Sequence, residues 1–424
     1  MKFVHAVPRI DQKRSLLDEE KDSCRTKPVV LTFARYYLPG YRAGGPIRTI
    51  ANMVERLSDT FDFRIVTLDR DLGDASPYRD IQADAWMVRG KALVRYVSPK
   101  GFGLRRVADI VRSTPHDAIY LNSFFDPRFT QQVLVNHRLG RLAGRPIVLA
   151  PRGEFSAGAL RIRWWKKIVF ISLAKWFELY DGMIWQASST REAEDIQRVL
   201  FVGKRMAGRV VVSGHVAVVP EPIGSESIAG LSVAFRHRAD GPLRVCFLSR
   251  ISPMKNLDFA LRALAQVRVP VRFAIYGPIE DATYWAGCAA LIAKLPSNIE
   301  VVHEGALEPA QVVPTLAQHD LFLFPTRGEN FGHVIHEALR AGLPLLISDQ
   351  TPWQRLAEQG VGWDLPLDDM RAFARRLEEV ARWPQAVRDQ YSTRASNLAV
   401  KVGQDELTLA ANRRLFLDAI ARRQ

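Results

Sequence analysis

Short apolar runs alternate along this chain with stretches whose apolar positions recur at helical spacing, and that alternation sets the expected architecture. Residues 29–33, 63–68, 118–121, 146–150, 183–187 and 210–212 predict one set of strands, and 243–248, 271–276, 299–302, 321–324 and 345–348 a second. Between strands, Ile50, Met53, Val54 and Leu57 trace one helix face, and Leu257, Ala260, Leu261 and Leu264 another. The densest pattern is 321–353: an apolar strand halted by Pro325, a polar glycine-bearing loop, a helix with Val334, Ile335, Ala338 and Leu339 inward, then Gly342, Pro344 and a second strand. Strand, helix, strand in this order is the unit of a parallel sheet, which takes ligands at the carboxyl ends of its strands.

Length and local composition divide the chain. A sequence of 424 residues allows two or three domains. Residues 1–27 are polar and charged without periodicity and read as a flexible extension. Proline, glycine and serine concentrate over 221–241, which reads as a linker between a first domain, 28–220, and a second, 242–403. The remainder, 404–424, reads as an amphipathic helix with Leu407, Ala411, Leu415, Phe416 and Ile420 along one side, in need of a partner surface.

Composition narrows the class of protein without choosing a function. Apolar content of 47% and charged content of 25% are those of a globular chain. Cys24, Cys246 and Cys288 lie far apart, which suits a reducing compartment and gives no zinc spacing. The apolar run at 3–7 is too short for a signal peptide, and no stretch nears the roughly 20 apolar residues of a membrane span. The location expected is therefore cytoplasmic. A formal charge of +14 asks for an anionic partner: nucleic acid, a membrane surface or a polyanionic substrate.

The chemistry concentrates in three loops. Arg250 and Lys255 fall between a predicted strand and helix, where a planar fork and a compact charge can clamp a diphosphate. In the dense stretch, Glu329 and Glu337 stand with seven residues between them, and His333 shares a helix face with Glu337. Gly44 and Gly45 open the first predicted helix, where backbone amides can approach a ligand closely. Asp69-Arg70-Asp71 spells a D-x-D pair, but as an Asp-rich turn after a strand it is not read as a metal site.

With GENFG in its loop, HEAL in its helix and AGLP after it, the 321–353 stretch resembles the E-x7-E element of retaining GT-B glycosyltransferases of family 4. Arg250 and Lys255 resemble that family's R-x4-K element, with Ser249 and Asn256 in place of its flanking glycines. The resemblance implies two Rossmann-like domains facing across a cleft, with the terminal helix crossing back. It implies transfer of a sugar from a nucleotide diphosphate sugar to a hydroxyl of a glycan or lipid-linked oligosaccharide, with retention and without metal or other cofactor, in surface polysaccharide synthesis. Arg250 and Lys255 would hold the diphosphate, Glu329 the sugar and Glu337 the ribose. Gly277, Asn330, Phe331, Gly332 and His333 would line the donor. Where relatives carry a cleft histidine this chain has Arg152 and Glu154: Arg152 could hold an acceptor phosphate or carboxylate, and Glu154 accept an acceptor proton.

One segment remains outside that scheme. Arg161, Arg163, Trp164, Trp165, Lys166 and Lys167 combine cations with large apolar side chains. They fit either a helix lying on the inner face of an anionic membrane or a core helix with one solvated basic side. Two other classes stay open: a different nucleotide-sugar enzyme on this fold (an epimerase or inverting transferase) and a basic nucleic-acid-binding protein. For the latter the chain has no RNA-binding strand motif, zinc spacing or recognition helix, so nucleic acid is not an expected partner.

Overall fold

The computed structural model describes residues 27–142, 144–161, 164–201, 210–217 and 241–422. The expected extension, apart from Lys27, and the expected linker, apart from Gly241, lie outside the described residues, as do Cys24 and Arg163.

Two sheets form. The first holds β1 (Val29–Phe33), β2 (Asp62–Leu68), β3 (Trp86–Arg89), β4 (Ala92–Val97), β5 (Ala118–Asn122), β6 (Ile147–Ala150), β7 (Ile184–Ala187) and β8 (Val210–Val212) in the order β3-β4-β2-β1-β5-β6-β7-β8. All neighbours are parallel except the edge pair β3–β4. The second holds β9 (Leu243–Leu248), β10 (Val271–Tyr276), β11 (Ile299–Gly305), β12 (Leu321–Phe324), β13 (Leu345–Ser348) and β14 (Gly362–Leu365) in the order β11-β10-β9-β12-β13-β14, parallel throughout. Strands β1, β5, β6, β12 and β13 are buried along their whole length, as expected of sheets covered on both faces. Strand order reverses at β1/β5 and at β9/β12, and those switch points are where open α/β sheets bind ligands.

The terminal helix Glu406–Ala421 leaves the second sheet and packs on the first, against the Gly45–Leu57 helix, β5 and β6. Phe416 meets Phe61, Phe63 and Tyr120 edge to face with ring centroids 5.6, 6.4 and 5.2 Å apart. Its buried face is Leu409, Asn412, Leu415, Phe416 and Ala419, whereas Leu407, expected inside, is 84% exposed. The polar Asn412 hid the true stripe. It is accommodated because its amide donates to the carbonyls of Ser213 and Thr408 and accepts from Gln186.

Candidate active site

The loops after β1, β6, β9 and β12 converge on one cleft of about 990 Å³ between the sheets. Gly44, Gly45, Arg152, Arg250, Lys255, Glu329 and His333 all line it. The distances across it are short: a Cβ on Gly44 would lie 3.9 Å from Nε of Arg250, and one on Gly45 3.6 Å from Cδ2 of His333.

Arg250 and Lys255 reach the cleft because the chain leaves β9 through a single 3-10 turn, Pro253–Lys255, and then Asn256 takes a left-handed conformation (φ 60°) before the next helix. Asn256 is fixed there by donating to the carbonyl of Pro325 at 2.9 Å, which ties this loop to the end of β12. Lys255 Nζ contacts Glu329 at 2.5 Å and lies over the Phe324 ring; Arg250 pairs with Glu280 at 2.6 Å. Lys255 is thus in direct contact with the first carboxylate of the E-x7-E element, and Arg250 lines the same cleft. Gly277 also lines the cleft, but its Cβ direction points 1.9 Å from the Ser249 carbonyl. Glycine is required there by the close approach of the β9 loop, whether or not a ligand also uses the space.

The His333–Arg340 helix starts at Gly332 (φ 77°) and turns its amino end into the cleft, so its first amide groups and the positive end of its dipole face the cavity. Asn330 and Phe331 precede it. The Asn330 amide meets the Ser188 hydroxyl at 2.6 Å, and the Phe331 ring packs on His215, His333 and Trp353. Glu337 is buried one turn on and is ion-paired with Arg48 of the Gly45–Leu57 helix. Burial pushes its carboxyl up, while Arg48 and Arg340 pull it back. His333 Nε2 contacts the Thr49 hydroxyl at 2.7 Å, and burial with the charge of Arg48 pushes its pKa down to about 3. His333, expected to line the donor, is therefore a neutral imidazole whose Nε2 is already engaged with Thr49 across the cleft.

Glu154, expected as a proton acceptor, lines the cleft beside Arg152 and reaches across to the loop after β5. Its carboxylate takes the Ser123 hydroxyl at 2.6 Å and the amides of Phe124 and Phe125 at 2.5 and 3.1 Å. It holds the loops after β5 and β6 together, and burial pushes its carboxyl up. Arg152 does face the cleft, with its guanidinium anchored on Tyr120 and Asn122. Asp69 pairs with Arg70, and Asp71 accepts the amides of Tyr41 and Arg42, so both carboxylates shape turns. Arg48, Thr49 and His215 were not anticipated. Arg48 and Thr49 come three and four residues after Gly45, and their place at the start of that helix was the available signal.

The Trp164–Trp176 helix flanks this region. Trp164, Trp165, Ile168, Val169, Leu173 and Trp176 are all about half exposed or more, and only Ile171 and Ala174 are buried. Its apolar face is outward, which overturns the core-helix alternative. Lys166 lies over Trp165, but Lys167 turns inward to the Ala159 carbonyl at 2.7 Å and does not belong to the outer face. The Arg161 side chain, like Arg163, lies outside the described residues.

Comparison with known proteins agrees with this geometry. Residues 242–382 match the family described as Glycosyl transferases group 1. A Salmonella typhimurium protein named for colanic acid biosynthesis as glycosyltransferase WcaL is 28% identical over 232 residues, covering 51% of this chain and 55% of that protein. The chain spans about half the length of the curated relatives it matches. Among solved structures, Anabaena HepE in complex with UDP and glucose superposes with a TM-score of 0.62 at 17% identity, covering 92% of this chain and 98% of that one. The UDP-forming alpha,alpha-trehalose-phosphate synthase of Burkholderia vietnamiensis gives 0.66 at 12%, covering 94% and 98%. The fold is GT-B.

Proposed function

We propose that this chain is a retaining glycosyltransferase of family 4 that moves a hexose from a nucleotide diphosphate sugar to a hydroxyl of a glycan or lipid-linked glycan. The observation that carries the reading is the convergence of Arg250, Lys255, Glu329 and the amino end of the His333–Arg340 helix on one cleft. The family match over 242–382, the UDP bound by Anabaena HepE and the UDP-forming reaction of the trehalose-phosphate synthase support the same reading.

In this mechanism the bond between the anomeric carbon and the diphosphate oxygen breaks, leaving an oxocarbenium-like centre on the sugar. Negative charge grows on the diphosphate. Arg250, Lys255 and the helix amides meet it in a partly enclosed cavity, where fixed charges and dipoles stabilise more than they would in water. The acceptor hydroxyl adds from the face the diphosphate leaves, and its proton passes to the departing phosphate, so no protein base is needed. That agrees with both Glu154 oxygens accepting hydrogen bonds from the loop after β5. Glu337 would accept the ribose hydroxyls with the lone pairs that Arg48 leaves free. Two cations and a helix dipole offset the diphosphate charge, so the reaction as proposed needs no metal.

The exposed Trp164–Trp176 face with Lys166 and Lys175 supports peripheral attachment to an anionic membrane surface, in keeping with a lipid-linked acceptor in surface polysaccharide synthesis. No helix among the described residues is long and apolar enough to cross a membrane. The reading is tested by thermal-shift screening of UDP- and GDP-sugars, followed by NMR of the product formed from the stabilising donor. A product of unchanged anomeric configuration is expected. An inverted product, or epimerised nucleotide sugar without transfer, refutes it.

A further inference from the structure

Resting on that reading, one feature of the cleft points to the chemistry of a substrate. Arg48, Arg250 and Lys255 each pair with a carboxylate: Glu337, Glu280 and Glu329. Arg152 pairs with none among the described residues. Its guanidinium is held by neutral groups only, donating to Asn122 Oδ1 at 3.0 and 3.2 Å and to the Tyr120 hydroxyl. Burial pushes the Tyr120 phenol up, so it stays protonated, and it donates onward to Gln186 at 2.5 Å. Gln186 in turn reaches Ser213 and Asn412, both neutral. The acids of this wall are committed elsewhere: Glu154 to Ser123, Phe124 and Phe125, and Glu192 to Gly153 and Ser188.

The backbone holds this charge in place at a cost. Arg152 sits at φ 58° and Gly153 at 78°, a left-handed pair that Glu154 and Glu192 brace from two sides. Beside it, His215 also lines the cleft, and its Nε2 is enclosed with no hydrogen-bond partner among the described residues. Its Nδ1 is 3.5 Å from the Thr49 hydroxyl, and its ring packs on Phe331 at 5.1 Å. A fixed cation without a counter-ion and a ring nitrogen without a partner share one wall. The enclosed ring nitrogen is costly while unpartnered, and the half-buried cation lacks an ion pair among the described residues until an anionic acceptor arrives.

We propose that Arg152 and His215 form a subsite for an anionic oxygen group, a carboxylate or phosphate, carried by one of the two substrates. The charge resides either on the sugar of the donor or on the acceptor, and binding experiments separate the two. UDP, UDP-glucose and UDP-glucuronic acid are titrated by calorimetry into the wild type, Arg152→Gln and Arg152→Lys. Sodium glucuronate and inorganic phosphate are titrated into the same proteins saturated with UDP.

If the donor carries the charge, UDP-glucuronic acid binds about tenfold tighter than UDP-glucose to the wild type and to Arg152→Lys. The gap closes in Arg152→Gln while UDP alone is unchanged. If the acceptor carries it, the two sugar nucleotides bind alike, and glucuronate or phosphate weakens about tenfold in Arg152→Gln. His215→Ala weakens the same anion and leaves UDP untouched. The proposal is overturned if Arg152→Gln matches the wild type for every probe, or weakens UDP, UDP-glucose and UDP-glucuronic acid equally. Should neither UDP nor GDP bind the wild type, the nucleotide-sugar reading falls instead, and phosphate binding to the free protein, dependent on Arg152 or not, still decides the anion subsite; should GDP alone bind, the same titrations are run with the GDP-sugars.

Discussion

At His333 a single side chain links the two lobes to the protonation state of the site. Its pKa falls from 6.5 to about 3, chiefly through burial, so the folded protein refuses a proton that the unfolded chain accepts. Between those values the unfolded state binds more protons, and stability therefore declines as pH falls through the window. His215, His319 and His336 are lowered as well and act in the same sense, whereas burial raises Glu154 and Glu337 and opposes them. His333→Gln, which keeps a hydrogen-bonding group toward Thr49, is expected to flatten the loss of melting temperature between pH 6.5 and 4. It should leave the value at pH 8 nearly unchanged; an identical acid limb in the variant would show that the ring is protonated when folded. Lys255→Ala is expected to lower kcat by about 10²–10³-fold in steady-state assays with the donor found by screening. Lys255, Glu329 and Glu337 stood out through the family resemblance of their motifs, and all three line the cleft. Arg48 and His215 did not stand out, because their contacts are with residues distant in sequence, Glu337 and Phe331.

Among the elements, legibility followed the size of the buried side chains. The Gln385–Gly403 helix was missed because its buried positions are Ser392, Ala395, Ala399 and Gly403, small residues that leave no apolar stripe. Their smallness lets it lie close on the His333–Arg340 helix, where His336 Nε2 is 3.0 Å from the Ala399 carbonyl. Strand β14, Gly362–Leu365, was hidden by its glycine and aspartate, although Asp364 accepts the amides of Arg355 and Leu356. Strands β3 and β4 are partly exposed at the sheet edge, so their pattern lacked a continuous apolar run. The terminal helix was legible in extent, and Phe416 is its anchor. Phe416→Ala should cost about 3–5 kcal/mol, read as a lowered denaturation midpoint. Replacing Trp164, Trp165 and Trp176 together by serine should weaken binding to anionic vesicles and leave the melting temperature nearly unchanged, because all three are exposed. Undiminished sedimentation with vesicles would exclude this face as the membrane contact.

Over the whole molecule, the cleft is held by contacts that cross it. Arg48 to Glu337, Thr49 to His333 and Ser188 to Asn330 each join a residue of the first-sheet half to the loop and helix after β12. The two halves therefore meet where the donor is proposed to bind. Donor affinity should depend on the bridge: Arg48→Ala is expected to weaken nucleotide binding several-fold by calorimetry, since Glu337 is then left buried and unpaired. The central claim is that fixed cations and a helix terminus after β9 and β12 bind a pyrophosphate. Its most direct test is calorimetric titration of UDP and GDP into the wild type, Arg250→Ala and Lys255→Ala. At least one nucleotide should bind the wild type, with affinity reduced about tenfold or more in each variant. Equal affinity in all three proteins would contradict it.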